Sequence, residues 1–306
     1  MQKETSFEII SFYKFIVLEN LNKYQIVLKK FLIDNRLKGT IILSPEGING
    51  TVSGTYGFAR EFSNFIFSVF DFDKFDSNNL SKTNSSPFDR PKVKIKKEVV
   101  PIEKKILDRK GKHISPFEWN DFIKKDDVLL IDIRKPFECE IGSFDGAKNP
   151  NVNNFREFKG YFDNLIKKNN KKLAIFCTGG IRCEKASEYL SDKGVDEVYQ
   201  LEGGILNYIN NVAEDLSLWK GECFVFDNRV AVKHGSKPGS YSICYGCRMP
   251  INNNDKKSSK YEQGISCHRC FDKLTIDKKK RFAMREYNKN KENNNDKKGS
   301  WRKFYL

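Results

Sequence analysis

The chain has 306 residues, 39% apolar and 13% aromatic, enough for packed cores and against wholesale disorder; at about 150 residues per domain it divides into two or three domains. No apolar run approaches the roughly 18 residues that span a bilayer, and the start (Met1, Gln2, Lys3, Glu4) lacks a signal-type apolar stretch, so a soluble cytoplasmic protein with no membrane contact is expected. The net charge of +15 is concentrated, residues 90–112 and 271–306 each carrying +7, which points to a polyanionic partner such as RNA or DNA.

In chain order, residues 9–15 predict a strand, and the spacing of Leu21, Tyr24, Leu28, Phe31 and Leu32 predicts a helix over 18–35. Residues 39–43 and 49–53 read as a hairpin, with Ser44, Pro45, Glu46 and Gly47 suited to its tight turn. A helix over 56–70 follows, then a Ser- and Asn-rich loop over 77–87, and a half-exposed strand over 93–100 in which Val93 and Ile95 alternate with lysines. The order βαββαβ is that of the ferredoxin-like split.

Ser115, Pro116 and Glu118 form an N-cap, a first-turn proline and a capping-box glutamate for a helix through residue 124. Residues 128–133 and 173–176 are short continuous apolar runs, as in buried parallel strands, and helices are expected over 155–168 and 184–193, with a strand over 197–201. Strand and helix alternate at βαβ spacing, so a doubly wound parallel α/β domain ending near Val212 is expected. Residues 219–232 read as a strand pair turning at Asp227, Asn228 and Arg229. Residues 288–300 have almost no apolar side chains and are expected to be disordered, with Trp301, Phe304 and Tyr305 able to dock elsewhere.

Cys244, Cys247, Cys267 and Cys270 form two C-x-x-C pairs at a spacing close to that of zinc ribbons. A four-thiolate shell leaves no open position, so such a metal would be structural. His268, between two of these cysteines, is expected to be exposed rather than coordinating.

The sharper signal is Cys177-Thr178-Gly179-Gly180-Ile181-Arg182-Cys183, directly after the strand over 173–176. There, backbone N–H groups converge and a helix dipole begins, so a thiol ionises readily, and Arg182 favours the thiolate or an anion above it. Cysteine phosphatases resemble H-C-x5-R; here Arg182 comes one position too early and Phe176 replaces the histidine, so the six-residue rhodanese loop, whose cysteine carries a persulfide, fits better. Cys183 reads equally as a resolving thiol or as a buried first-turn residue.

Asp132-Ile133-Arg134 with Phe137-Glu138, the segment 142–147, the Cys177 loop and Gly203-Gly204 resemble one rhodanese domain in order and spacing. More specifically, CTGGIRCEKA at 177–186, LEGGILNY at 201–208, SPEGINGT at 44–51 and VKIKKE at 93–98 resemble the bacterial tRNA uridine hydroxylase family, as do the cysteine pairs with Tyr261 and Gly264. The resemblance reaches about residue 287. It implies oxygen-dependent hydroxylation of the tRNA wobble uridine to 5-hydroxyuridine, with molecular oxygen as co-substrate and Cys177 as the catalytic cysteine. It also implies loop or anion support from Thr178, Gly179, Gly180, Ile181, Arg182, Asp132 and Arg134. The architecture implied is an N-terminal ferredoxin- or acylphosphatase-like domain (1–100), a rhodanese domain (113–213), a Cys-rich region (214–287) and a basic tail (288–306).

Residue chemistry alone leads instead to sulfur transfer through a Cys177 persulfide. His113, His234 and His268 are not spaced as an iron-binding facial triad requires, and no G-x-G-x-x-G fingerprint for flavin or nicotinamide occurs. Hydroxylation becomes chemically accessible if Cys177 adds to the uracil ring and activates C5. The two readings differ over Lys92, Lys94, Lys96 and Lys97, which must share a side with the Cys177 loop if RNA phosphates are to reach both.

Overall fold

The computed structural model describes residues 6–102, 111–168 and 170–296. They form two compact units that divide between Gly239 and Ser240.

The first unit opens with β1 (Phe7–Phe15), α1 (Leu21–Asp34), β2 (Lys38–Ser44), β3 (Gly47–Thr55), α2 (Phe58–Phe70), β4 (Ser77–Thr83) and β5 (Pro91–Ile95). The sheet order is β4-β1-β3-β2-β5, with β5 parallel to β2 and the other neighbours antiparallel. Alternation along each strand gives two faces. One carries Ile10, Phe12, Ile41, Leu43, Ile48 and Val52 into a core with Leu28, Leu32, Phe62 and Ile66 of the two helices. The other carries Ser11, Tyr13, Asn49 and Thr51.

Two expectations for this domain are corrected. The Ser/Asn-rich segment expected to be a loop contains β4, which pairs with β1 and supplies the closing strand of the βαββαβ unit. The lysine-bearing strand expected in that role is instead an added edge strand, β5, and it ends at Ile95. Apolar alternation is missing from β4 because its buried positions are Asn79 and Thr83, while Leu80 is exposed. An edge strand with a polar inner face leaves no periodic signal.

The second half of this unit contains β6 (Lys112–Ile114), α3 (Pro116–Ile123), β7 (Val128–Asp132), α4 (Pro136–Cys139), β8 (Gly142–Phe144) and α5 (Phe158–Ile166). It continues with β9 (Lys172–Phe176), α6 (Ile181–Asp192), β10 (Val198–Leu201), α7 (Gly204–Asn211), β11 (Trp219–Gly221), β12 (Cys223–Phe224) and β13 (Ala231–Val232). The parallel sheet has the order β6-β10-β9-β7. Ala174 and Phe176 point to a core with Trp119, Ile205 and Tyr208, and Leu173 and Ile175 to a second core with Phe158, Phe162 and Leu190. Burial on both faces is why these strands read as continuous apolar runs. Ser115 accepts the Glu118 N–H at the start of α3, as its cap position predicts.

Trp219, Cys223, Val225 and Val232 pack into the first of these cores. The Cys-rich region expected from residue 214 therefore begins structurally only after Gly239. The two halves of the first unit are joined through α6. Its Lys185, fully buried, pairs with Glu46 of the β2–β3 turn and with Glu98, each at 2.7 Å, while Val100 and Ile102 enter the α6 core.

The second unit contains β14 (Ser242–Ile243), β15 (Pro250–Ile251) and α8 (Ile276–Asp296). Helix α8 extends past residue 288, where disorder is expected from composition. It contains no Gly or Pro, and once the Lys- and Arg-rich first turns are formed each added residue costs little. Trp301, Phe304, Tyr305 and the end of the basic tail lie outside the described residues.

Candidate active site

Cys177 follows β9 directly and has no solvent exposure. The loop beyond it is shorter than expected. Gly180, at φ 95°, caps α6, so Ile181, Arg182 and Cys183 form the first helical turn rather than a helix starting at Glu184. The reason is packing: Ile181 and the fully buried Cys183 join the core beneath the helix. The Gly180 N–H lies 3.2 Å from Cys177 Sγ. A Cβ on Gly204 would stand 2.6 Å from the Cys177 carbonyl oxygen and 2.8 Å from the Gly179 nitrogen, so only glycine lets α7 approach. That approach allows the Ile205 and Leu206 N–H groups to donate to the Cys177 and Thr178 carbonyls, both at 3.0 Å.

Burial by itself raises a thiol pKa. Around Cys177 it is outweighed by a hydrogen bond from Cys183, the Arg182 charge and the Arg182 and Cys183 N–H groups, which bring the thiol down to about 6. Cys183 is driven the other way by burial and by the neighbouring thiolate, so it keeps its proton. The pair therefore has one nucleophilic sulfur at neutral pH, Cys177.

Arg182 is held in place by a residue not singled out from the sequence as functional. Its Nη1 and Nη2 donate to the two oxygens of Glu138, both at 2.9 Å, and Nη2 donates to Thr178 Oγ1 at 3.1 Å. Burial raises the Glu138 carboxyl, but the Arg182 charge and hydrogen bonds exceed that and hold it below the usual carboxylate range. The signal was present in Phe137-Glu138, but nothing local marks a partner 44 residues away.

Asp132 and Arg134 do not line the cleft above Cys177. They pair with each other (Nε to Oδ1 at 2.9 Å, Nη2 to Oδ2 at 2.6 Å), and Arg134 also donates to the Gly142 carbonyl at 2.6 Å. The fully buried pair braces the turn that leads into α4, which carries Glu138.

The cleft has a volume of about 370 Å³ and lies between the two halves of the first unit. Cys177, Thr178, Gly179, Ile181, Arg182 and Glu138 line one side; Ser11, Tyr13, Asn49, Thr51 and Asn79 of the N-terminal sheet line the other. Tyr13 donates to Glu184 Oε1 at 3.0 Å, and burial together with that carboxylate pushes its phenol well above the usual range. Glu184 also meets His113 at 3.1 Å and accepts from Gln200 at 3.1 Å. These contacts lock the sheet to α6.

None of Lys92, Lys94, Lys96 and Lys97 lines this cleft. Strand register nevertheless places two of them on its face: Ser11, Thr51, Thr40 and Lys92 form one cross-strand row, and Tyr13, Asn49, Ile42 and Lys94 the next. Lys92 and Lys94 thus lie three strand spacings from β1, about 14 Å. Lys96 and Lys97 lie beyond the end of β5 and are exposed.

In the second unit, Cys244, Cys247, Cys267 and Cys270 converge, all four sulfurs lying within 4.8 Å of one another. The Cys247–Cys267 separation of 3.7 Å and the Cys244–Cys270 and Cys267–Cys270 separations of 3.9 Å match the edge of a sulfur tetrahedron around a metal at about 2.3 Å, which is about 3.8 Å. The site can hold a metal ion. His268 stands outside it, its Nδ1 3.5 Å from Asp255.

Fold and site together define a rhodanese-like domain with a cysteine at the head of its α6 loop, roofed by an acylphosphatase-like domain. Residues 7–99 match the UPF0176 acylphosphatase like domain and residues 115–211 the rhodanese-like domain. Over 282 residues the chain is 51% identical to the tRNA uridine(34) hydroxylase of Pelagibacter ubique, covering 92% of this chain and 93% of that protein. The chain belongs to the tRNA uridine(34) hydroxylase family. Among solved structures, it is similar to a rhodanese-like domain protein from Staphylococcus aureus (30% identity, 35% of this chain and 96% of that one, TM-score 0.28). It is also similar to a rhodanese-related protein from Thermoplasma volcanium (28% identity, 32% and 90%, TM-score 0.25).

Proposed function

We propose that this chain hydroxylates the wobble uridine of tRNA at C5, giving 5-hydroxyuridine, with molecular oxygen as co-substrate and Cys177 as the reacting nucleophile. The observation that carries the reading is the Cys177 sulfur at the floor of a cleft whose polar roof continues across the sheet to Lys92 and Lys94. A uridine swung out of an anticodon loop can present its ring to the sulfur while nearby phosphates meet the lysines. Thiolate addition at C6 raises the electron density at C5, where one atom of O2 enters while the other leaves as water by taking two electrons from an external thiol-class reductant; loss of the C5 proton and of the thiolate then restores the 5,6 double bond. The Arg182 guanidinium and the N-terminus of α6 keep the sulfur ionised before addition and make it a good leaving group afterwards. Among the described residues no helix is long and apolar enough to cross a membrane, and the reading places the enzyme in the cytoplasm with its tRNA substrate.

We infer in addition that Cys244, Cys247, Cys267 and Cys270 hold a structural zinc ion. Four thiolates suit Zn²⁺ and leave no position for substrate.

The test is mass spectrometry of tRNA nucleosides from cells carrying the wild type or Cys177→Ser, with and without oxygen. Oxygen-dependent 5-hydroxyuridine that disappears in the variant is expected. A second reading, sulfur transfer through a Cys177 persulfide, is favoured by the Gly180 N–H directed at the sulfur. Transfer from thiosulfate to a small thiol, with tRNA nucleosides unchanged by the protein, would establish that reading in place of hydroxylation.

A further inference from the structure

Phe226 lines the same cleft as Cys177, yet 69% of it is exposed whereas Cys177 is fully buried. The sulfur is therefore at the floor and the phenyl ring at the rim. Exposure of a large aromatic is ordinary on a loose loop, but this loop is fastened at both sides. The Asn228 N–H donates to the Pro87 carbonyl at 2.9 Å and its side-chain amide to Asp89 at 3.0 Å. Arg229, paired with Asp227 at 2.7 Å, also donates to Ser81 Oγ of β4 at 3.1 Å. Val230, a β-branched residue, is held at φ 64°, a conformation retained only where surroundings enforce it.

The ring itself is fixed edge-on. Phe226 meets Phe224 at 5.0 Å and 89°, and Phe224 meets Phe137, beside Glu138, at 5.1 Å and 89°. This ladder orients Phe226 from behind while leaving most of the ring uncovered. Across the cleft Asn49 supplies an amide group, the amide nitrogen of buried Asn79 being held by the Gly203 carbonyl at 3.1 Å, and Lys92 and Lys94 lie on the same sheet face. A rigid, uncovered aromatic ring beside an amide and cations has the composition of a single-stranded nucleic-acid platform: a face for stacking, a group for a base edge and charges for phosphates.

We propose that Phe226 stacks on the unpaired RNA base that flanks the reacting nucleotide, holding the loop open while its neighbour descends to Cys177. The proposal rests on the tRNA reading above and names a substrate-positioning residue for it. A nucleotide on the cleft floor leaves the rim to the adjacent base, and the rim is where the ring lies.

The experiment uses a synthetic anticodon stem-loop RNA with uridine at the wobble position and, as control, a blunt duplex of the same length. Because the side chain is exposed, Phe226→Ala should unfold at the wild-type temperature. It should bind the stem-loop about five- to hundredfold more weakly, the value of one stacked base, with the loss in turnover carried by KM. Phe226→Trp should restore affinity, and its added emission should be quenched by the stem-loop and not by the duplex. Unchanged affinity in Phe226→Ala, or equal quenching by both RNAs, overturns the proposal. The outcome is separable from that of the functional reading. Stem-loop-specific quenching in a protein that forms no 5-hydroxyuridine would retain the stacking residue and remove the reaction; hydroxylation with wild-type KM in Phe226→Ala would do the reverse.

Discussion

Lys185 and Glu46 meet at 2.7 Å, one from the helix that follows the cysteine loop and the other from a hairpin turn of the N-terminal domain, and Lys185 has no solvent exposure. Glu98 stands at 2.7 Å on the same ammonium, and the Val100 carbonyl accepts from it at 2.8 Å. The motifs containing these three charged residues are thus parts of one ion cluster, which sets how the roof of the cleft sits over Cys177.

Removing the lysine leaves two carboxylates together with little water. Lys185→Met should lose about 3–5 kcal/mol of stability, the usual cost of breaking a buried pair. Urea unfolding measures it, and adding Glu46→Gln and Glu98→Gln should recover most of the loss. A single variant as stable as the wild type would show that the cluster does not hold the domains together.

The Cys177 thiol should titrate with a midpoint near 6, visible as the thiolate ultraviolet absorbance that Cys177→Ser lacks. Above that pH the nucleophile is present; below it, it is lost. Arg182→Gln removes one of the opposing charges, so the midpoint should rise. A wild-type midpoint near that of a free thiol, about 8.5, would mean that the loop does not activate the sulfur.

Glu138→Gln breaks the two-point contact with Arg182 and should destabilise the protein by about 3–5 kcal/mol at neutral pH. The folded carboxyl lies below its ordinary value, so this contribution is complete above the unfolded pKa, about 4.3, and is lost as pH falls through the lower folded value. The stability gap between wild type and variant should therefore narrow on acidification. Unfolding curves across that range decide it; a gap independent of pH would contradict the ion pair.

Purified protein should contain about one zinc per chain by elemental analysis, and Cys247→Ser should lose it. The second unit's core is little more than the four cysteines, Ile251, Tyr261 and Leu274, so chelation should also remove its hydrogen-exchange protection. Full protection in the chelated protein would exclude a folding role for the metal.

If Lys92 and Lys94 meet phosphates, replacing both with alanine should weaken tRNA binding in every sequence context. It should also reduce the slope of log affinity against log salt by about two. An unchanged slope would place the RNA elsewhere.

What the sequence by itself determined is local. A cysteine after an apolar run, followed by two glycines and an arginine, forms an anion-binding turn at a helix start wherever it is placed, because the N–H groups that make it belong to the same few residues. The N-cap at Ser115 and the C-x-x-C knuckles are legible for the same reason. The polar strand β4 was not, since its inward residues Asn79 and Thr83 imitate a loop. Only the tertiary structure brought Glu138 to Arg182, Tyr13 to Glu184 and Glu46 to Lys185. It also decided that Asp132 and Arg134 brace each other rather than line the cleft, and that Lys92 and Lys94 share the cleft face. Charges buried on a helix can be stabilised only by partners that folding delivers from elsewhere in the chain, so the loop chemistry is written locally and the cleft around it is not.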